Sequence, residues 1–273
     1  MSTDALPDLA TLSTLLREIA RAELLPRFAQ PQAREKADGS LVTDADLAVQ
    51  RRLVTALAER WPMIPLLGEE MSSAEQARLL ADENTALWCL DPLDGTSNFT
   101  CGFPGFCISL ALLRAGRVEL GLVLDPVRDE CFSARLGQGA QLDGQPIRPY
   151  SPGVDLGDCL AMIDFKRLPK ARVAELFGAD SFRSQRNLGA VALEWCWLGA
   201  GRFQLYLHGG QGLWDHAAGR LIAEEAGAAT RLYAPGGNAP DATLRLDKRI
   251  ALGAANEDLL GQWQARVALP MSR

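Results

Sequence analysis

Apolar residues at Leu9, Leu12, Leu16, Ile19 and Ala20 repeat with the 3.6-residue period of an amphipathic helix, predicting one over residues 9–28. Pro26 lies near its C-terminal end and Pro31 in the loop beyond, followed by a turn at Lys36, Asp38, Gly39 and Ser40. Thr43 or Asp44 is a good N-cap for a second helix through Arg60, with Leu47, Val54, Leu57 and Ala58 on its apolar side. Apolar runs at 64–67 and 86–90 read as short buried strands, with a polar helix over 73–82 between them. Residues 105–113, 118–124 and 130–134 are strand-like and separated by turn residues, predicting an antiparallel meander.

From about Pro152 the pattern shifts. Runs at 159–164, 182–184, 203–207 and 250–254 read as strands, and 190–200, 214–226 and 257–267 as helices. Strands and helices are mixed rather than strictly alternating, which predicts a layered α/β or α+β chain in two halves, 1–150 and 151–273. The halves are expected to form one unit.

Composition narrows the class. At 273 residues, 48% hydrophobic and 23% charged, the chain is long enough to bury a large core and is neither disordered nor fibrous. Its net charge of −6, without a Lys/Arg run, makes it a poor prospect for non-specific nucleic-acid or membrane-surface binding. The first ten residues carry Asp4 and Asp8 and no basic cluster, which predicts no secretory leader. The longest nearly apolar run, 103–113, falls well short of the ~20 residues that span a bilayer. Six scattered cysteines without a C-x-x-C pair read as reduced, buried thiols in a cytoplasmic protein.

The densest chemistry lies in Asp91-Pro92-Leu93-Asp94-Gly95-Thr96. Pro92 fixes φ and tightens the turn after the strand, so two carboxylates three residues apart can converge. Gly95 permits close approach of backbone to a ligand, and a helix opening at Thr96 or Ser97 would point N–H groups at the same spot. Carboxylates beside anion-binding N–H groups make sense together when a cation mediates, which implies Mg²⁺ between protein oxygens and a phosphate. Glu69, at the end of the preceding strand, Asp215, at the start of a helix, and Asp46, on the first turn of the second helix, fit the same purpose. His208 and His216 are too few for a zinc site.

These blocks have a family in common. Val42-Thr43-Asp44-Ala45-Asp46, Gly68-Glu69-Glu70, the run from Trp88 to Phe99 and Trp214-Asp215-His216-Ala217-Ala218-Gly219 resemble, in order, the motifs of the inositol monophosphatase family. The likeness covers roughly residues 9–259. The letters D-P-x-D-G-T alone, at ~5–7% per residue, arise by chance about once in several thousand chains of this length.

The resemblance implies the layered αβαβα sugar-phosphatase fold, mixed sheets sandwiched by helices, a homodimer and lithium sensitivity. It further implies two or three Mg²⁺ per site: one on Glu69, Asp91 and the Leu93 carbonyl, a second on Asp91, Asp94 and Asp215, and a weaker third on Glu69 and waters. Asp46 and Thr96 match the pair that orients the attacking water, and the N–H groups of Gly95 and Thr96 would grip the phosphate. Glu70 reads as a supporting neighbour. The implied reaction is direct hydrolysis of a small phosphate ester by metal-activated water, with no phosphoenzyme.

The leaving-group pocket departs from the family pattern. Inositol-specific members carry Glu seven residues before the position of Asp215; here it is His208, which can hydrogen-bond a hydroxyl but offers no carboxylate. Ala190 and Val191 are the other expected substrate contacts, and at Ala190 the hydroxyl of the family's usual Gly-Thr/Ser-Ala step is lost. Lys166 and Arg167 read as a solvated loop that can alternatively meet a second phosphate, Trp195 and Trp197 as core and interface packing rather than a base-stacking pair, and Lys36 as a turn residue that can alternatively hold a loop supplying metal or water contacts. Inositol monophosphate is the leading substrate; histidinol phosphate, fructose 1,6-bisphosphate and 3′-phosphoadenosine 5′-phosphate are the rivals. A regulatory binding protein that keeps the fold, with incidental catalysis, is the rival from another class.

Overall fold

The computed structural model describes residues 7–30, 33–35, 41–82, 85–178 and 181–269. The expected turn at 36–40, with Lys36, and Pro31 lie outside them. Helix α1 (Leu9–Ile19) is capped by the Asp8 carboxylate, which accepts from the Thr11 N–H at 2.8 Å. The single helix predicted over 9–28 ends early, continuing as a π turn (Ala20–Leu24) and a 3₁₀ turn (Leu25–Arg27). Pro26 explains the change: it has no N–H to donate back along the helix, and its ring crowds the preceding turn.

Strands β1 (Ala33–Glu35) and β2 (Leu41–Thr43) pair antiparallel and lead into α2 (Asp44–Arg60), capped by Thr43 as expected. The face of α2 matches prediction at Leu57 and differs at the other three positions. Ala45, Val49, Leu53 and Leu57 are buried, whereas Leu47 and Val54 are 40% and 43% exposed and Ala58 is also exposed. The sequence carries two apolar stripes on opposite sides of this helix, and only the i, i+4 stripe at 45, 49, 53 and 57 meets a sheet.

The first sheet has seven strands in chain order. They are β3 (Leu66–Gly68), β4 (Leu87–Asp94), β5 (Cys107–Arg114), β6 (Arg117–Asp125), β7 (Glu130–Arg135), β8 (Ala140–Leu142) and β9 (Gln145–Pro146). Helices α3 (Ser73–Leu80) and α4 (Thr96–Thr100) flank β4 in the chain. The β3–β4 pair is parallel and the others antiparallel.

The second half contributes β10 (Leu160–Asp164), α5 (Lys170–Leu176), β11 (Ser184–Arg186), α6 (Val191–Gly199), β12 (Leu205–Gln211), α7 (Leu213–Ala226), β13 (Ala229–Tyr233), β14 (Arg249–Ala254) and α8 (Glu257–Val267). Its five-stranded sheet runs β11-β10-β12-β14-β13, with the first three strands parallel and β14 antiparallel to both its neighbours. The short β8, β9, α5 and β13 went unpredicted.

Side-chain alternation sorts these elements into five layers. Along β4, Trp88 and Leu90 face α1 and α2, while Leu87 and Cys89 face α6 and α7. Along β12, Tyr206 faces α6 and α7 from the other side, while Leu205 and Leu207 face α8. The α6–α7 pair is therefore the middle of an αβαβα stack, as the resemblance implied. It is packed closely: a Cβ on Gly219 would stand 2.9 Å from the Trp195 Cβ, and one on Gly121 of β6 would stand 2.8 Å from the Ala218 carbonyl oxygen.

Candidate active site

Strand β4 does not stop at Leu90 as predicted but pairs through the acidic motif to Asp94. Asp91 lies opposite Ser109 and Asp94 opposite Cys107, so three steps on β4 match two on β5. This bulge at Pro92 and Leu93 turns Asp91 and Asp94 to the same face of the sheet, where simple alternation would oppose them. Leu90 and Leu93 are likewise brought together on the α1–α2 side. Gly95 then takes φ +89°, a left-handed turn that lets the strand enter α4 directly.

A cleft of about 400 Å³ opens at the ends of β3, β4, β10 and β12, beside the starts of α6 and α7. Glu69, Asp91, Asp94 and Asp215 line it, together with Leu93, Gly95 and Thr96. Each of the aspartates is held by a backbone N–H. Asp91 Oδ1 accepts from Leu93 at 3.0 Å, Asp94 Oδ2 from Ala192 at 2.6 Å and Asp215 Oδ2 from Gly212 at 2.8 Å. The Glu69 N–H bonds the Leu90 carbonyl at 3.1 Å, fixing the end of β3 against β4. The Leu93 carbonyl accepts from the Thr96 hydroxyl at 3.0 Å.

Burial and mutual repulsion dominate the electrostatics. Burial first, then the charges of Glu69, Asp94 and Asp215, holds the Asp91 carboxyl well above the usual range. Burial and Asp215 do the same to Asp94. Asp215 is pushed up to about 7 by burial and Glu69. The donors are all carboxylates and one carbonyl, the oxygen set a hard divalent cation takes, and a cation there relieves the repulsion. Among the described residues, no three acidic, His or Cys side chains form a closed cage, each aspartate being turned to its N–H partner. Mg²⁺ thus fits the donor chemistry of this site.

The other expected residues divide. Thr96 and Val191 line the cleft. Ala190 is fully buried, and a Cβ on Gly95 would stand 3.2 Å from its Cβ, so it packs under the turn. Asp46 is 1% exposed and not a wall of the cleft: it closes a capping box with Thr43, accepting from its N–H at 2.8 Å and from its hydroxyl. Burial, with the charge of Glu70, pushes its carboxyl up to about 7. His208 lines the cleft, but both its nitrogens are engaged: Nε2 lies 3.2 Å from Asp164 Oδ2, and Nδ1 accepts from the Gly210 N–H at 3.2 Å.

The motifs and the donor set point the same way as a family model that matches residues 7–267 and describes the inositol monophosphatase family. The chain belongs to that family. It is 36% identical over 217 residues to inositol monophosphatase 1 of Solanum lycopersicum, covering 76% of this chain and 77% of that protein. Nus factor SuhB of Pseudomonas aeruginosa is 33% identical over 225 residues, covering 78% of each. A structure of an IMPase/NADP phosphatase complexed with Mg²⁺ and phosphate superposes with a TM-score of 0.79 at 26% identity, covering 94% of this chain and 93% of that one.

Three charged wall residues of this family member escaped the sequence reading: Glu194, Asp164 and Lys248. Glu194 had a local signal, a lone carboxylate in the otherwise apolar α6. It is 2% exposed, with Oε1 accepting from Leu188 and Gly189 N–H at 3.1 and 2.9 Å and Oε2 from the Tyr206 hydroxyl at 3.0 Å. Burial pushes it up to about 7. Asp164 and Lys248 had none, because each reaches the cleft only through long-range strand pairing: Asp164 is the register partner of His208, and Lys248 directly precedes β14. Lys166 and Arg167, expected in a solvated loop, are exposed and also line the cleft. Trp195 is core, as expected, edge-on to Tyr206 at 4.5 Å.

Proposed function

We propose that the protein is a Mg²⁺-dependent phosphomonoesterase acting on a small polyol or sugar phosphate, with inositol monophosphate the first candidate. The observation that carries this reading is the convergence of Glu69, Asp91, Asp94 and Asp215, from two strand ends and a helix start, on one cleft beside Gly95 and Thr96. Bound Mg²⁺ would supply charge neutralisation and Lewis-acid activation of water and phosphate.

The protein's own contribution is placement. Glu69, Asp91 and the Leu93 carbonyl would hold one cation, and Asp91, Asp94 and Asp215 a second, with a weaker third at Glu69. The Gly95 and Thr96 N–H groups hold the phosphate. Thr96, at the wall, and Asp46, buried in its capping box with Thr43, are the pair assigned to orienting the water. A homodimer, a cytoplasmic location and inhibition by lithium belong to the same reading.

The test is phosphate release from inositol 1-phosphate in Mg²⁺, with a chelated control. Release that chelation abolishes and Mg²⁺ restores supports it; full restoration by Zn²⁺ alone would count against the oxygen-donor argument. The likeness to SuhB relatives described as Nus factors favours a second reading, a regulatory binding role on the same fold. Retention of partner capture by an Asp94→Asn variant that has lost turnover would support it.

A further inference from the structure

The same cleft also has cationic lining. Lys166, Arg167 and Lys248 line it, coming from two segments far apart in the chain, β10–α5 and the approach to β14. The turn that carries Lys166 and Arg167 is built in place. Asp164 accepts from the Lys166 N–H at 2.9 Å and from Arg167 Nε at 3.1 Å, and is itself anchored by His208 at 3.2 Å. Gly209 lies directly under the Arg167 carbonyl, with which a Cβ would collide. The bulge of β12 between His208 and Gln211 is what brings Gly209 there.

The charges at this end do not cancel. Asp164 is the partner of Arg167 and His208, and among the described residues the ammonium groups of Lys166 and Lys248 make no hydrogen bond or ion pair. Glu194, the other carboxylate on this side, is committed to two N–H groups and the Tyr206 hydroxyl. Arg167 and Lys248 both draw the Asp215 carboxyl downward, so they stand within Coulombic range of the catalytic end. A Glu at position 208 would face Asp164 as a like charge; the His there instead orders Asp164 and leaves no ring nitrogen to offer a sugar hydroxyl.

We propose that this wall is an anion subsite, with Lys166 and Lys248 as its ligands, selecting phosphomonoesters whose alcohol portion carries a second anionic group, a phosphate or a carboxylate. The proposal rests on the phosphatase reading and names its substrate class. Two matched pairs test it: fructose 1,6-bisphosphate against fructose 1-phosphate, and 2-phosphoglycerate against glycerol 2-phosphate. The anionic member of at least one pair is expected to be preferred by about tenfold or more in kcat/KM, with the preference collapsing in Lys166→Ala/Lys248→Ala. Which pair shows it distinguishes phosphate from carboxylate. Equal use within both pairs overturns the subsite while leaving a phosphatase. If no ester releases phosphate, the phosphatase reading falls, and calorimetry with fructose 6-phosphate decides the subsite. Binding that the double variant loses upholds it; no binding by the wild-type protein overturns it.

Discussion

The carboxylate of Asp94 accepts the backbone N–H of Ala192 at 2.6 Å, across 98 residues of sequence. The bond ties the acidic strand of the first sheet to the first turn of α6, the helix both sheets share. It holds Asp94 in place by its acceptor oxygen and leaves its charge for other purposes.

That division predicts the behaviour of Asp94→Asn. Asparagine keeps the acceptor for Ala192 and removes one of the crowded charges. Turnover should fall by roughly two to three orders of magnitude. The metal-free protein should melt about 2–4 °C higher for each ~1 kcal/mol of repulsion relieved. Phosphate release and a melting curve in chelator check both; turnover near that of the wild type refutes the assignment.

The same repulsion makes a divalent cation a stabilising ligand. Mg²⁺ should raise the melting temperature, by about 2.7 kcal/mol of added stability at a hundredfold excess over its dissociation constant. The increment should shrink in Asp215→Asn, which removes one donor. A melting temperature indifferent to Mg²⁺ in the wild type would speak against a cation site here.

Glu194 gives stability a pH dependence with a definite sign. Its folded carboxyl is raised to about 7 from an ordinary 4.5, so between those values the folded state holds a proton that the unfolded state has lost. Stability from this group is full below about pH 4.5 and declines as pH rises towards 7, by up to about 1.4 kcal/mol per pH unit. Glu194→Gln removes the titration. Urea unfolding at pH 5, 6, 7 and 8 should show the variant gaining on the wild type with each step; a constant gap would show that Glu194 does not titrate as described.

Gly219→Ala sets two effects against each other. Alanine improves helix propensity by about 1 kcal/mol. Its methyl, however, would press on the Ala192 carbonyl and stand 2.9 Å from the Trp195 Cβ, both fixed parts of α6. Overpacking of about 1–3 kcal/mol or more should win, lowering the urea midpoint. A variant more stable than wild type would mean that α6 and α7 can separate freely.

The sequence made the site's composition readable and its geometry only in part. Asp91, Asp94, Glu69 and Asp215 stood out because their spacing and neighbours encode local turns, and α6, α7 and α8 because their apolar faces are long. Asp46 was legible as a helix-start carboxylate but not as a capping residue closed on Thr43, because a cap and a cleft wall share one local pattern. On α2 only Leu57 of the buried face was legible, since two apolar stripes compete there and only the tertiary partner chooses. Lys166, Arg167, Asp164 and Lys248 meet through strand register and a bulge, neither of which has a short-range signature.

The extra residue in β4 makes the acidic motif a matter of parity. Were β4 to pair regularly through Pro92 and Leu93, the second aspartate would pass through the sheet, among Leu12, Leu16 and their neighbours under α1 and α2. Deleting Leu93 would instead remove the bulge and keep both aspartates on one face, at the loss of the Leu93 carbonyl. The odd spacing of the two aspartates therefore works only together with the bulge, whichever residue types occupy the two positions between them.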